Sequence, residues 1–215
     1  MAVDAALAAD PRLAPSVRAV PGIRIPGLVE PAEALARAVL GQQVSVRSAR
    51  TTVQRLVERL GTPLALGAGT GSGGGDGPDG EPGPGAGGWP TRLFPTAATL
   101  AEHAAAVVGG PRARVAALVR ACEAVATGEL DLDVADTRED FVAGLRALPG
   151  IGPWTAELLA LRYLRCSDVL LDGDAAVRAG ARALGLGEGA AALRAAAAPL
   201  APWRSYVTMH LWRAY

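Results

Sequence analysis

Two stretches of this sequence carry groups whose types and spacing could act on a ligand. They are Leu148-Pro149-Gly150-Ile151-Gly152-Pro153-Trp154-Thr155 and, about twenty residues later, Leu170-Leu171-Asp172-Gly173-Asp174. In the first, an apolar run is stopped by Pro149, and Gly150 and Gly152 flank Ile151, so backbone N–H groups can approach a ligand with no Cβ in the way. Pro153 stands where a first helical residue tolerates proline. The octapeptide reads as a tight hairpin between two helices, with unpaired N–H groups opening the second. Those donors and the helix dipole point the same way, which attracts anions, a phosphate diester above all. The second stretch places two carboxylates in a short turn. Asp is among the best residues for capping a following helix, and capping leaves a carboxylate free to act on a ligand as well.

Helices must position these turns. Glu30-Pro31 opens a helix from Ala32 to about Leu40, which Gly41-Gln42-Gln43 interrupts. Ser45 caps the next, whose Val46, Val53, Leu56, Val57 and Leu60 keep the helical period up to Gly61. Thr96 or Thr99 starts another through Val108, stopped by Gly109-Gly110-Pro111, and residues 112–127 are amphipathic. Asp136 to Asp140 cap a helix through Ala147 that enters the hairpin; a helix over 153–165 leaves it, and others follow near 174–184, 188–198 and 204–213. Residues 1–30, punctuated by proline, read as an extended or briefly helical lead-in. Nothing alternates with the strand period, so the expected fold is all-α and two-lobed, a single domain over 1–215 with the helix-hairpin-helix at 141–165. From Thr62 to Pro90 glycine and proline dominate, so 62–90 is expected to be a disordered insertion between helices. No G-K-[ST] closes it, which argues against a phosphate-binding loop.

Half of the 215 residues are hydrophobic, enough for a sizeable core. No apolar run reaches the roughly eighteen residues of a membrane helix, and the N-terminus lacks a signal-peptide pattern, so a cytoplasmic protein with no membrane partner is expected. The formal net charge is zero, yet charge is segregated. Residues 1–61 hold eight Arg against five acids and residues 141–215 again eight against five, so each is +3, while 62–140 hold five against eleven, or −6. Phosphate neutralisation underlies most duplex affinity, and the two segments with the motifs are the basic ones. All the basic side chains are arginine, which suits bidentate phosphate contacts. With no lysine, no side-chain amine can form a Schiff base with an abasic sugar.

The run L-P-G-I-G-x-W-T-A followed by a spaced Asp resembles the helix-hairpin-helix DNA glycosylases, and within them the 3-methyladenine DNA glycosylase II branch. The likeness extends to Leu40-Gly41-Gln42-Gln43-Val44-Ser45, to Phe94-Pro95-Thr96, and to Pro202-Trp203-Arg204-Ser205-Tyr206 with His210-Leu211-Trp212, covering roughly residues 12 to 213 apart from the insertion. The likeness starts near the helical core, so the family's N-terminal β-rich domain is expected to be missing. Cys122 and Cys166 cannot supply the four-cysteine iron–sulfur cluster of the endonuclease III and adenine glycosylase branches.

The resemblance implies a monofunctional DNA glycosylase of base excision repair, acting as a monomer on damaged double-stranded DNA in the cytoplasm, at the nucleoid. Asp174 becomes the catalytic carboxylate, ahead of Asp172. Trp154, Trp203 and Tyr206 become base-pocket residues, with Trp212 evenly balanced between pocket and core and His210 structural. Gln43, in the loop that enters the duplex where the base leaves, becomes a DNA contact, with Gly150, Gly152, Thr155 and Arg114. The carbonyls of Arg146, Leu148 and Gly150 match positions that hold a structural monovalent cation, Na+ or K+; no other cofactor is implied. Leu158 and Ala175 replace further pocket aromatics, so a wider pocket is expected. The competing readings are a non-catalytic binder of damaged DNA and a bifunctional glycosylase with lyase activity. Trp154, standing where the lyase branch has lysine, disfavours the latter.

Overall fold

The computed structural model describes residues 2–64, 91–133 and 137–215. Most of the insertion expected at 62–90, and Asp136 of the expected cap, lie outside the described residues.

The lead-in is briefly helical, then extended: α1 (Ala2–Ala8) contains no proline, and Pro15 falls in the first turn of α2 (Ala14–Ala19), where a missing N–H costs nothing. Pro31 plays the same part in α3 (Pro31–Leu40). Side-chain oxygens then start three helices. Ser45 accepts the Ser48 N–H ahead of α4 (Val46–Leu60), Thr96 that of Thr99 ahead of α5 (Ala97–Val107), and Thr137 that of Asp140 ahead of α7 (Arg138–Arg146). Between the last two lies α6 (Arg112–Ala126). Thr62–Pro63 (β1) pairs antiparallel with Arg92–Leu93 (β2), Thr62 opposite Leu93, and the Arg92 guanidinium donates to the Gly61 carbonyl at 2.6 Å. This pairing, too short to show a period in sequence, joins the two ends of the insertion.

Helix α8 (Pro153–Arg162) stops three residues earlier than expected. Arg165 adopts a left-handed backbone (φ 57°), and the Cys166 N–H turns back to the Ala160 carbonyl at 3.1 Å. Beyond it come α9 (Ala175–Ala183), α10 (Gly189–Ala197), a 3-10 turn at Ala198–Leu200 and α11 (Arg204–Arg213). Among the described residues no helix is long and apolar enough to cross a membrane.

Helices α3 to α6 form one lobe, with α5 and α3 packed on α6; α9, α10 and α11 form the other. The first helices of the chain return to that second lobe, where the Ser16 hydroxyl lies 2.9 Å from Nδ1 of His210 on α11. One apolar cluster runs from Val3 and Leu7 through Leu35, Leu118 and Leu159 to Leu211. The α7–α8 hairpin sits against the first lobe through α3 and α8, braced by the two-pronged pairing of Arg138 with Glu157 at 2.6 and 3.2 Å.

Candidate active site

Asp174 is the N-cap of α9, its Oδ1 accepting the Val177 N–H at 2.9 Å. Two indoles complete its shell: Nε1 of Trp154 donates to Oδ2 at 3.0 Å, and Nε1 of Trp212 donates to Oδ1 at 3.2 Å. Three N–H donors thus converge on one carboxylate from three helices. Each is neutral, so the carboxylate's charge is oriented without being cancelled. Asp172, two residues earlier, is spent in an ion pair with Arg194.

The Trp212 contact depends on a glycine. A Cβ at Gly180 would lie 2.0 Å from the carbonyl oxygen of Leu211, so α9 and α11 meet backbone to backbone. That approach brings the residue after Leu211 over the start of α9. The Pro202-Trp203-Arg204-Ser205-Tyr206 run fixes α11 in turn. Arg204 grips Asp168 through Nε and Nη2 at 2.7 and 2.6 Å, holding that carboxyl below its ordinary range. The fully buried Ser205 donates to the Cys166 carbonyl at 2.6 Å and accepts the Val169 N–H at 2.8 Å. Both bonds pin the segment that leads into Asp174.

Trp203 and Tyr206, read from sequence as base-pocket residues, pack edge to face on each other at 6.0 Å at the start of α11. Neither hydrogen-bonds Asp174; the second indole on the carboxylate is that of Trp212. One helical turn is about 5.4 Å, and more than two turns separate Trp203 from Trp212 on the chain. His210 is fully buried on Ser16, as a structural histidine would be. Cys122 is buried, which pushes its thiol up to about 12, and burial also raises that of Cys166.

In the hairpin, Gly150 has φ 85°, and a Cβ there would lie 2.4 Å from that of Ala117 on α6. Glycine is required twice over, by backbone conformation and by close packing. Gly152 caps α8 with no side-chain hydrogen bond, so the first-turn N–H groups remain available to a ligand. Gln43 is exposed with a left-handed backbone (φ 55°). Two expected DNA contacts are placed differently. Thr155 is only 2% exposed, its hydroxyl accepting the Gln42 amide at 2.8 Å. Arg114 is half-buried and donates to the Gln42 carbonyl at 3.3 Å, so it braces the loop from beneath. Neither side chain lies free on the surface, because both are taken up in holding the Gly41-Gln42-Gln43 turn in place.

Of the carbonyls matched to a monovalent cation, that of Leu148 accepts the Ile151 N–H at 3.2 Å and that of Gly150 receives the Gln42 amide at 3.4 Å. Among the described residues no group of His, Cys, Asp and Glu could hold a metal ion.

Known proteins share much of this sequence and its fold. The chain is 37% identical over 211 residues to a Mycobacterium tuberculosis protein named as a probable bifunctional transcriptional activator/DNA repair enzyme AlkA, covering 98% of this chain and 39% of that one. It is 32% identical over 196 residues to the Escherichia coli DNA-3-methyladenine glycosylase 2, covering 89% of this chain and 60% of that one. The Schizosaccharomyces pombe 3-methyladenine DNA glycosylase, solved with abasic DNA, superposes with a TM-score of 0.77 at 21% identity, over 99% of this chain and 96% of that one. Over these stretches the chain is similar to the 3-methyladenine DNA glycosylase II branch of the helix-hairpin-helix DNA glycosylases.

The chain spans less than two thirds of the length of either curated relative. It matches no protein-family model. A 3-methyladenine DNA glycosylase from Archaeoglobus fulgidus shares its fold as well, with a TM-score of 0.75 at 19% identity over 98% of this chain and 67% of that one. Sequence reasoning passed over Gln42 and Gly180. For Gly180 a signal existed: a lone glycine inside an otherwise helical stretch, which costs about 1 kcal/mol relative to alanine unless packing repays it.

Proposed function

We propose that this chain is a monofunctional DNA glycosylase of base excision repair that hydrolyses the N-glycosidic bond of alkylated purines, such as 3-methyladenine, in duplex DNA. The observation that carries the reading is the carboxylate of Asp174, fixed by the indole N–H groups of Trp154 and Trp212 at the start of α9. A ring alkylated on nitrogen is cationic and leaves without protonation, taking the C1′–N electron pair. Positive charge then develops on the sugar, and a preoriented carboxylate stabilises it. Water forms the new bond to C1′ and gives its proton to Asp174 or to solvent. Electron-poor bases stack well on electron-rich indole faces, the role proposed for Trp154 and Trp212.

The N–H groups at Gly150 and Gly152 grip the phosphate backbone, and the exposed Gln43 enters the stack vacated by the flipped nucleotide. Leu148, Gly150 and Arg146 carbonyls would hold a monovalent cation, which would lend the hairpin positive charge beside the phosphates. Residues 1–215 act as one catalytic unit on DNA where the chromosome lies. With no lysine in the sequence, the reaction ends at an abasic site and leaves the strand intact. Single-turnover assays on duplexes bearing one methylated purine, hypoxanthine or uracil test the reading. Base release from the methylated purine, with no strand nicking before heat or alkali, is expected. No release from any of them leaves only a binding protein.

A further inference from the structure

We infer that Gln42 is a positioning residue: it locks the loop that carries Gln43 to the phosphate-gripping hairpin, so that the two engage the duplex in a fixed register. This rests on the glycosylase reading above, in which Gln43 fills the gap left by a flipped nucleotide.

The geometry is that of a clamp closed from three sides. The Gln42 side-chain amide donates to Thr155 Oγ1 at 2.8 Å and makes a longer contact, 3.4 Å, with the Gly150 carbonyl, so it touches both arms of the hairpin turn. The Gln42 backbone carbonyl accepts from Arg114 of α6 at 3.3 Å, and its N–H returns to the Val39 carbonyl at 3.2 Å. Helix α6 in turn carries Ala117, which packs so tightly on Gly150 that no side chain fits there. Loop, hairpin and α6 therefore share one set of contacts, and Gln42 is the residue that touches the other two. Thr155 is almost fully buried, so its hydroxyl has no duplex to meet. Its bond to Gln42 gives it a use.

Gln43 follows directly and keeps a left-handed backbone at φ 55°, a conformation that residues with a Cβ hold only when their surroundings impose it. Among the described residues the exposed Gln43 side chain has no hydrogen bond of its own, and it is the clamped neighbour that holds the turn. Release of the Gln42 amide frees the loop to relax. The hairpin N–H groups, which belong to α8, stay where they are.

The consequence separates two kinds of duplex. Undamaged DNA needs only the phosphate grip, whereas DNA with an abasic site offers a gap that a correctly presented Gln43 fills. Binding of the full chain to both duplexes, the gapped one containing a tetrahydrofuran abasic analogue, gives the test. For Gln42→Ala and Thr155→Val the affinity for the gapped duplex is expected to fall about tenfold, the worth of a hydrogen bond lost in a partly buried site, with undamaged-duplex affinity changed less than twofold. Thr155→Ser, which keeps the hydroxyl, should restore wild-type preference, and the Gln42→Ala/Thr155→Val pair should lose no more than either single change. Retained preference in Gln42→Ala overturns the clamp alone. Equal loss on both duplexes also overturns it, showing that Gln42 merely supports the fold. A wild-type chain with no preference for the gapped duplex overturns the clamp and the glycosylase reading together.

Discussion

Nε1 of Trp212 donates to Oδ1 of Asp174 at 3.2 Å across 38 residues of chain, and the contact exists because Gly180 lets the backbones of α9 and α11 touch. A packing residue with no functional group thus decides where a carboxylate's second indole stands. Replacement of Gly180 by Ala puts a methyl group into the Leu211 carbonyl. It is expected to cost about 1–3 kcal/mol of stability and to lower base release further by drawing Trp212 off Asp174. Thermal unfolding beside Gly109→Ala, a site with open space around it, checks this; equal melting temperatures would contradict it.

Trp154→Phe and Trp212→Phe each keep an aromatic face but remove an N–H from Asp174. Hydrogen bonds to charged groups contribute about 1.5–3 kcal/mol, so each variant should release base roughly 10- to 100-fold more slowly under single-turnover conditions. Trp203→Phe, whose indole makes no hydrogen bond to Asp174, should stay within about threefold of wild type on the same scale, since its ring still packs on Tyr206.

Ser205 satisfies a buried backbone N–H at Val169 and is itself wholly buried. Ser205→Ala orphans that donor, and a loss of about 1–3 kcal/mol in denaturant unfolding is expected. Unchanged stability would mean that the segment before Asp174 relaxes without it.

How much of this was legible in sequence follows physical lines. Helix starts at Ser45, Thr96, Thr137 and Asp174 were readable because each is a side-chain oxygen bonding an N–H three residues on. So was the hairpin, where Gly150 and Pro153 report backbone constraints directly. Residue order within a helix was not enough for the aromatic shell. Trp203 and Trp212 both lie at α11, and which one meets Asp174 depends on the approach of α9 at Gly180, a tertiary contact. For the same reason Thr155 and Arg114 read as surface contacts: what buries them is the Gln42 loop, more than seventy positions away from each on the chain. The lead-in's short helices were legible too, because proline breaks a helix inside it and is welcome in its first turn.

Burial holds the His210 imidazole below its ordinary range; Asp4 partly offsets this and Arg213 adds to it. The unfolded chain therefore takes up a proton first. Stability is fully present above the unfolded value near 6.5 and is lost as the pH falls through the folded value. Melting temperatures measured from pH 8 to pH 5 should drop for the wild type, and His210→Leu should flatten the part of that slope between pH 7 and pH 5. An unchanged slope in the variant would contradict the assignment.

The most direct test compares Asp174→Asn with the wild-type chain in single-turnover base release from a duplex carrying one methylated purine, alongside binding to the same duplex. The amide removes the negative charge and turns a donor toward indole N–H groups. A fall of about 10²- to 10³-fold in release, the scale for losing one preorganised electrostatic contact, with affinity held within about twofold, is the predicted result. Release at the wild-type rate would show that the carboxylate between Trp154 and Trp212 does not cleave the glycosidic bond.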